Sequence, residues 1–150
     1  MASTISAATL TVTHTEALTL NGVDRGVTNT TTISSINEVD HRILTIPTSS
    51  LVNVMTFSST VGSGSFVRGN VKYIRITNKD DTNYVTIQLI KTSSDVVYLK
   101  LEKGQTFVLY NDDMQADDAG AAFSSFAELD NIALQANTAA VDCEVFIAST

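Results

Sequence analysis

The sequence predicts an all-β fold: an antiparallel β-sandwich of about eight to nine strands, either a jelly roll or a related Greek key. Val, Ile and Thr make up about a third of the 150 residues, and these β-branched side chains fit a pleated sheet. Short segments of alternating apolar and polar residues recur between turn signals. No amphipathic helix separates these segments, which argues against parallel βαβ units.

The first half of the chain contains two predicted hairpin strands and two single strands. Residues 8–20 and 26–34 alternate on either side of Asn21-Gly22, the strongest short signal for a β-hairpin. Residues 34–40 are predicted to form a polar connector. A strand at 42–46 ends at Pro47, the single proline. A strand at 51–57 follows, and its alternation places on one face Leu51, Asn53, Met55 and Phe57, and on the other Val52, Val54 and Thr56.

The second half predicts three hairpins, each made of two apolar arms and a short link of polar or small residues. Their arms are residues 71–78 and 84–89, 96–101 and 106–110, and 131–136 and 141–147. The last strand has a single apolar face formed by Val141, Cys143, Val145 and Ile147. We therefore expect Cys143 to be an inert core thiol.

A chain of this length is expected to form one domain spanning residues 1–150. Residues 1–7 are predicted to be an N-terminal arm, which either orders on a neighbouring subunit or frays. Residues 111–127 are predicted to form a long loop that begins acidic and becomes rich in Ala. Loops of this length in compact domains are usually functional or mobile.

The charge of the chain limits the classes of partner. A net charge of −7 and a pI of about 4.5 argue against a nucleic acid and against an anionic membrane surface. The single cysteine excludes an intrachain disulfide. The N-terminus has no signal-peptide pattern, and no apolar run reaches the length of a membrane helix. We expect the protein to be made in a cytoplasm.

Two groups of residues are candidate chemical sites, and each is better explained without chemistry. The acidic residues of the long loop suggest calcium, but their spacing does not match an EF-hand. His14, His41 and Cys143 are too scattered to predict a zinc site or a Cys–His pair. The sequence therefore predicts no catalytic residue, no metal and no cofactor. The acidic residues in question are Asp112, Asp113, Asp117 and Asp118.

The remaining candidates are contacts with other proteins. The long loop carries two aromatic rings among small residues, which suits a subunit interface or, equally, a lid over one end of the sandwich. A glycan-binding role is weakened by the absence of Trp and the low aromatic content of 7%. The candidate interface residues are Phe123, Phe126, Ala121, Ala122 and, in the N-terminal arm, Ile5.

Three blocks in the second half resemble small structural proteins of tailed bacteriophages. Residues 1–60 and the long loop lie outside this resemblance. The blocks are Tyr73-x-Arg75-x-Thr77-Asn78-x-Asp80 with Asn83-x-Val85, then Leu99-Lys100-Leu101-x-x-Gly104, then Ala136-Asn137-Thr138-Ala139-Ala140-Val141-x-x-Glu144-Val145.

The resemblance implies a non-enzymatic component of a phage particle, and it carries no catalytic residues. The expected location is the virion, assembled in the host cytoplasm. The expected partners are other virion proteins, above all the major capsid protein, and further copies of this chain. The first hypothesis is a capsid decoration or cement protein. The alternatives are a tail, neck or fibre-associated subunit and a glycan-binding β-sandwich module.

Overall fold

Strands form nearly all of the regular structure of this chain, as its β-branched composition predicts. The computed structural model describes residues 5–91, 95–116, 123 and 129–150. One short 3₁₀ helix, Arg68–Asn70, lies in the middle of the chain. Within the described residues the strands are β1 (Ala8–Glu16), β2 (Thr19–Leu20), β3 (Val23–Asp24), β4 (Val27–Ile36), β5 (Glu38–Ile46), β6 (Val52–Ser58), β7 (Phe66–Val67), β8 (Val71–Asn78), β9 (Val85–Ile90), β10 (Val96–Leu101), β11 (Thr106–Tyr110), β12 (Asn131–Ala136) and β13 (Val141–Ser149).

Two large sheets form a β-sandwich, which confirms the predicted fold class. The described strands give a five-stranded sheet in the order β10-β9-β12-β6-β7 and a four-stranded sheet in the order β11-β8-β13-β5. Neighbouring strands are antiparallel except β6 and β7, which are parallel. The core lies between the sheets and takes side chains from both, among them Ile74, Ile76, Cys143, Val145, Val85, Ile87, Ile132 and Leu134.

The three hairpins predicted in the second half are wrong, because each of their links crosses from one sheet to the other. β8 and β9, β10 and β11, and β12 and β13 lie in different sheets. The hairpin that forms instead joins β9 to β10. Stacked sheets are about 10 Å apart, and a link of about four residues can span that distance as well as turn within one sheet. A turn signal therefore does not decide which strands pair.

The polar connector predicted at residues 34–40 is wrong as well. β4 continues to Ile36 and β5 begins at Glu38, so the chain stays extended through almost the whole segment. Ser35 adopts a positive φ of 64°, and the Asn37 N–H donates to the Ser149 carbonyl at 3.0 Å. The polar residues of the segment are mostly exposed strand positions, which explains why it looked like a loop.

A bulge in β6 changes the predicted faces of that strand. Met55 pairs with Ile132 and Asn53 with Ala133, so two steps along β6 match one step along β12. The extra residue, Val54, is buried together with Met55. Strict alternation placed these two side chains on opposite faces. A bulge breaks the period of two locally, and the sequence carries no signal for it.

One end of the sandwich is closed by the links between the sheets, which meet around Asn78. This side chain is fully buried at the end of β8. Its Nδ2 donates to the carbonyls of Asn83 at 2.9 Å and Leu101 at 3.3 Å, and its Oδ1 accepts the Asp80 N–H at 2.9 Å. The Asn78 N–H donates to Gln105, in the next link, at 3.0 Å.

The N-terminal hairpin forms a two-stranded ribbon, as the Asn21-Gly22 signal predicts. β1 pairs with β4 over their whole length, and β2 and β3 form its tip. Asn21 and Gly22 have positive φ angles of 51° and 77°, as the tightest hairpin turns require. We call the pair β1 and β4, with its tip at residues 17–26, the ribbon. It packs on the outer face of the four-stranded sheet, the face turned away from the main core.

Candidate interaction surface

The predicted interface residues fall into two groups. Ile5 is 72% exposed just before β1, and Phe123 is 61% exposed in the long loop. Both side chains are therefore accessible to a partner. The other three candidates, Phe126, Ala121 and Ala122, lie outside the described residues.

The acidic loop shows local hydrogen bonding in its described part. The Asp113 N–H donates to Asn111 Oδ1 at 3.2 Å, and Gln115 Nε2 donates to Asp113 Oδ2 at 2.8 Å. Asp117 and Asp118 lie outside the described residues. Across residues 5–91, 95–116, 123 and 129–150, no three His, Cys, Asp or Glu side chains converge as metal ligands would.

The two histidines and the cysteine lie apart. His14 is exposed on the ribbon, with its Nε2 3.4 Å from Glu16 Oε1. Cys143 is fully buried in the core, and burial raises the pKa of its thiol to about 12. His41 lies opposite Phe146, on the outer face of the same sheet. The prediction of an inert core thiol is confirmed, because a protonated, buried thiol is a poor nucleophile.

The outer face of the four-stranded sheet carries a connected set of charged side chains. Glu144 Oε1 accepts from Arg75 Nη2 at 2.5 Å and lies 2.9 Å from His41 Nε2. Lys79 Nζ is 3.9 Å from the other carboxylate oxygen. The hydrogen bond from Arg75, followed by that from His41, holds the pKa of the Glu144 carboxyl below its ordinary value. Glu144 is therefore an anion shared by three basic side chains.

Sequence reasoning missed this cluster, although one signal for it was present. The alternation of β13 places Glu144 opposite the buried residues, and the alternation of β8 does the same for Arg75. The pairing of β13 with β8 and β5 then brings these outward-facing residues together. That pairing could not be found from turn signals, so the cluster was not predicted.

Aromatic rings continue the same face toward the ribbon. The Tyr73 ring lies 5.6 Å from the Phe146 ring and 6.0 Å from the Tyr110 ring, centroid to centroid. Burial raises the pKa of the Tyr73 hydroxyl. The ribbon covers these rings with Ile33 and Ile36, which are buried, and with the partly buried Leu10 and Val12. The ribbon is thus anchored at its base by an apolar cluster separate from the main core.

Beyond its base, the ribbon exposes a polar face along its length and apolar side chains at its tip. One face consists of threonines, in the cross-strand pairs Thr11–Thr32, Thr13–Thr30 and Thr15–Thr28. The hydroxyl oxygens of the last two pairs are 3.3 Å apart. The tip and the distal end carry apolar side chains that are about half exposed, namely Leu18, Leu20, Val23 and Val27.

Further apolar side chains are exposed on the open part of the sheet. Ile43 is 63% exposed beside Glu144, and Val39 and Val108 are also exposed. Scattered single apolar residues are ordinary on a protein surface, but here they share one face with a charged cluster and a projecting ribbon. This arrangement suits contacts with another protein.

Comparisons with known proteins give no further assignment. No family model, curated protein or solved structure matches this chain. Within the described residues, no helix is long and apolar enough to cross a membrane.

Proposed function

We propose that this chain is a non-enzymatic structural subunit of a tailed-phage particle, and more specifically a capsid decoration or cement protein. The observation that carries the proposal is the ribbon, which projects exposed apolar residues away from a sandwich that has a hydrophobic core of its own. In the free chain these apolar side chains stay exposed to water, which is unfavourable. A neighbouring subunit that covers the ribbon would explain why the chain carries them.

The sheet topology supports the proposal. Without the two-residue strand β7, the described part of the sandwich has eight strands, β5, β6 and β8 to β13. Numbered 1 to 8 along the chain, they have the order 1-8-3-6 in the four-stranded sheet and 2-7-4-5 in the other sheet. We infer from this order a jelly roll, an architecture that serves in viral capsid domains. The three residue blocks that resemble tailed-phage structural proteins point to the same class. Each block includes residues of a link that crosses between the sheets, at residues 79–84, 102–104 and 137–140.

The mechanism of such a protein is binding linked to assembly. A ligand that binds only the assembled state stabilises that state by mass action. A decoration protein that bridges neighbouring capsid subunits therefore raises the temperature at which the shell opens. Contacts that are weak for one copy add up over the whole particle, because the symmetry of the lattice repeats each contact many times.

Copy number in purified particles tests the proposal. A decoration protein is present at on the order of hundreds of copies per particle, following the capsid lattice. Particles that lack it should release DNA at a lower temperature than particles to which it has been added back. A few copies to some dozens would instead indicate the alternative location in the tail, neck or fibre. Absence from the particle would overturn the proposal.

Phe123→Asp tests the exposed loop residue within the same assay. Because Phe123 is largely exposed, the variant should keep the unfolding free energy within about 0.5 kcal/mol of the parent and bind particles more weakly. Val61→Asp is the matched control, since it adds the same charge at a residue that is 91% exposed in another loop. If Phe123→Asp unfolds the domain, the ring belongs to the core, and equal binding by both variants removes Phe123 from the interface.

A further inference from the structure

We propose that the free edge of β1 pairs antiparallel with β1 of a second copy, about a two-fold axis at Val12, so that two ribbons join into one four-stranded sheet. This inference deepens the proposed function, since it names the surface through which copies of the subunit contact one another. It rests on the state of the β1 edge, on the symmetric placement of its threonines and on the position of its single carboxylate.

The edge of β1 is open and unprotected. Within the described residues β4 is the one strand that pairs with β1, so the backbone groups along the other edge of β1 have no strand partner. Natural proteins protect such edges with Lys, Pro, bulges or very short strands. β1 has nine residues and contains neither Lys, Arg nor Pro. Long edges of high β-propensity and low charge are templates for strand addition.

The opposite edge of the ribbon, along β4, is interrupted. Ala8 pairs with Ile36 and Leu10 with Ile33, so β4 takes three steps where β1 takes two. The irregularity in this ladder is thus on β4, where Ser35 has a positive φ of 64°. Bulges bend a strand and end regular pairing. Of the two edges, β1 is therefore the one that can accept a straight partner strand.

The four threonines of β1 are placed symmetrically about Val12, so antiparallel pairing about a two-fold axis at this residue sets threonine opposite threonine. Antiparallel pairing at this centre places Thr11 opposite Thr13 and Thr9 opposite Thr15 of the other copy. Leu10 then lies opposite His14, and Val12 opposite itself. All four threonines stay on the threonine face, because opposite residues of antiparallel strands share a face. Both apolar residues stay on the face that covers the sheet.

The charges of the chain favour this orientation. The net charge of −7 opposes contact between copies in general, but β1 carries one carboxylate, Glu16, at its end. Antiparallel pairing sets Glu16 opposite Ala8, so the two Glu16 residues are about eight steps, or about 27 Å, apart. That distance is well beyond the Debye length of about 8 Å. Parallel in-register pairing would instead place the two carboxylates side by side.

The size of the contact predicts a weak dimer. Nine paired residues extend for about 30 Å along a single edge, which is small beside the roughly 800 Å² per partner of a standard interface. Pairing is therefore expected to need high concentration in solution and to become strong where copies are held close together on a particle.

Sedimentation of the full chain over a concentration series up to about 1 mM, the range of a weak complex, tests the pairing. Thr11→Lys with Thr13→Lys places lysines directly opposite each other twice across the axis, which should weaken self-association by about tenfold. Thr28→Lys with Thr30→Lys is the matched control, because it adds the same charge to the same face of the ribbon on β4. The parent and the control should dimerise alike.

A cysteine experiment tests the register independently of the lysine variants. Cys143 is buried, so an added cysteine is the accessible thiol. Thr11→Cys mixed with Thr13→Cys should form a mixed disulfide on oxidation, because these two positions lie opposite each other in the dimer. Either variant alone should form none, because the same position in the second copy is displaced by two residues along the strand. A disulfide in each single variant would overturn the register.

Three results would overturn the pairing itself: a monomeric parent at the highest concentration, loss of dimer in the β4 control alone, or no mixed disulfide. A monomer that still decorates particles would overturn the pairing and leave the proposed function standing. A chain that dimerises as predicted but is absent from particles would overturn the proposed function and leave the pairing standing.

Discussion

Asn78 Nδ2 donates a hydrogen bond to the Leu101 carbonyl at 3.3 Å, and this bond joins the two sheets of the sandwich. Asn78 ends β8 in the four-stranded sheet, and Leu101 ends β10 in the five-stranded sheet. The same side chain also binds the link at residues 79–84. A buried amide with both ends bonded specifies one geometry, because any other arrangement leaves polar groups unpaired.

Replacing Asn78 with Ala should lower the unfolding free energy by about 2–3 kcal/mol, because it leaves buried carbonyl and N–H groups without partners. Urea unfolding followed by circular dichroism measures this loss. Asn53→Ala is the control, since Asn53 is an exposed asparagine in a strand and should cost less than about 0.5 kcal/mol. Equal losses of unfolding free energy in both variants would show that the hydrogen bonds of Asn78 do not contribute to the stability of the sandwich.

The Glu144 cluster should make stability depend on pH in the acid range. The folded pKa of Glu144 is lowered, so its contribution is complete above the ordinary pKa of 4.5 and is lost as the pH falls through the lowered value. Glu144→Gln should destabilise by about 1 kcal/mol at pH 7, a figure reduced for partial exposure. It should also show a smaller fall in stability below pH 4.5 than the parent.

Glu102→Gln is the matched control for this prediction. Glu102 forms an ion pair with Lys100 at 2.6 Å, and both side chains are more than half exposed. Exposed pairs contribute little to stability. Urea midpoints of parent and variants between about pH 3 and pH 7 separate the two cases. A Glu144→Gln profile parallel to that of the parent would show that Glu144 does not carry the acid dependence.

Replacing Ile33 with Ala should loosen the ribbon without opening the sandwich. Ile33 is buried at 1% exposure between the ribbon and the sheet, in a cluster separate from the main core. Removing its side chain should lower the free energy of ribbon opening by about 2–4 kcal/mol. Amide hydrogen exchange should therefore accelerate in β1 and β4 while β12 stays protected.

Val27→Ala provides the comparison for this measurement, because Val27 lies on the same strand and is 55% exposed. It should leave exchange rates in the ribbon close to those of the parent. If Ile33→Ala accelerates exchange equally in β12, the ribbon and the sandwich unfold as one unit, and the second cluster is not independent.

The sequence-based predictions succeeded where a single strand contains all of the information. The alternation of Val141, Cys143, Val145 and Ile147 identified a buried face, and all four are buried. Asn21-Gly22 located a hairpin, because two successive positive φ angles demand such residues. They failed for the Val54 bulge and for the segment at residues 34–40, where local polarity and strict alternation were misleading.

By itself, the sequence determined the all-β class, most strand positions and which side of a strand is apolar, because these depend on side-chain shape and on a period of two within one segment. Only the tertiary structure decided which strands of the sandwich pair, because a short polar link can turn within a sheet or cross between sheets, and the choice depends on burying both inner faces at once. That choice places Glu144 beside Arg75, ties the sheets together at Asn78, and leaves the ribbon outside the sandwich with the β1 edge open.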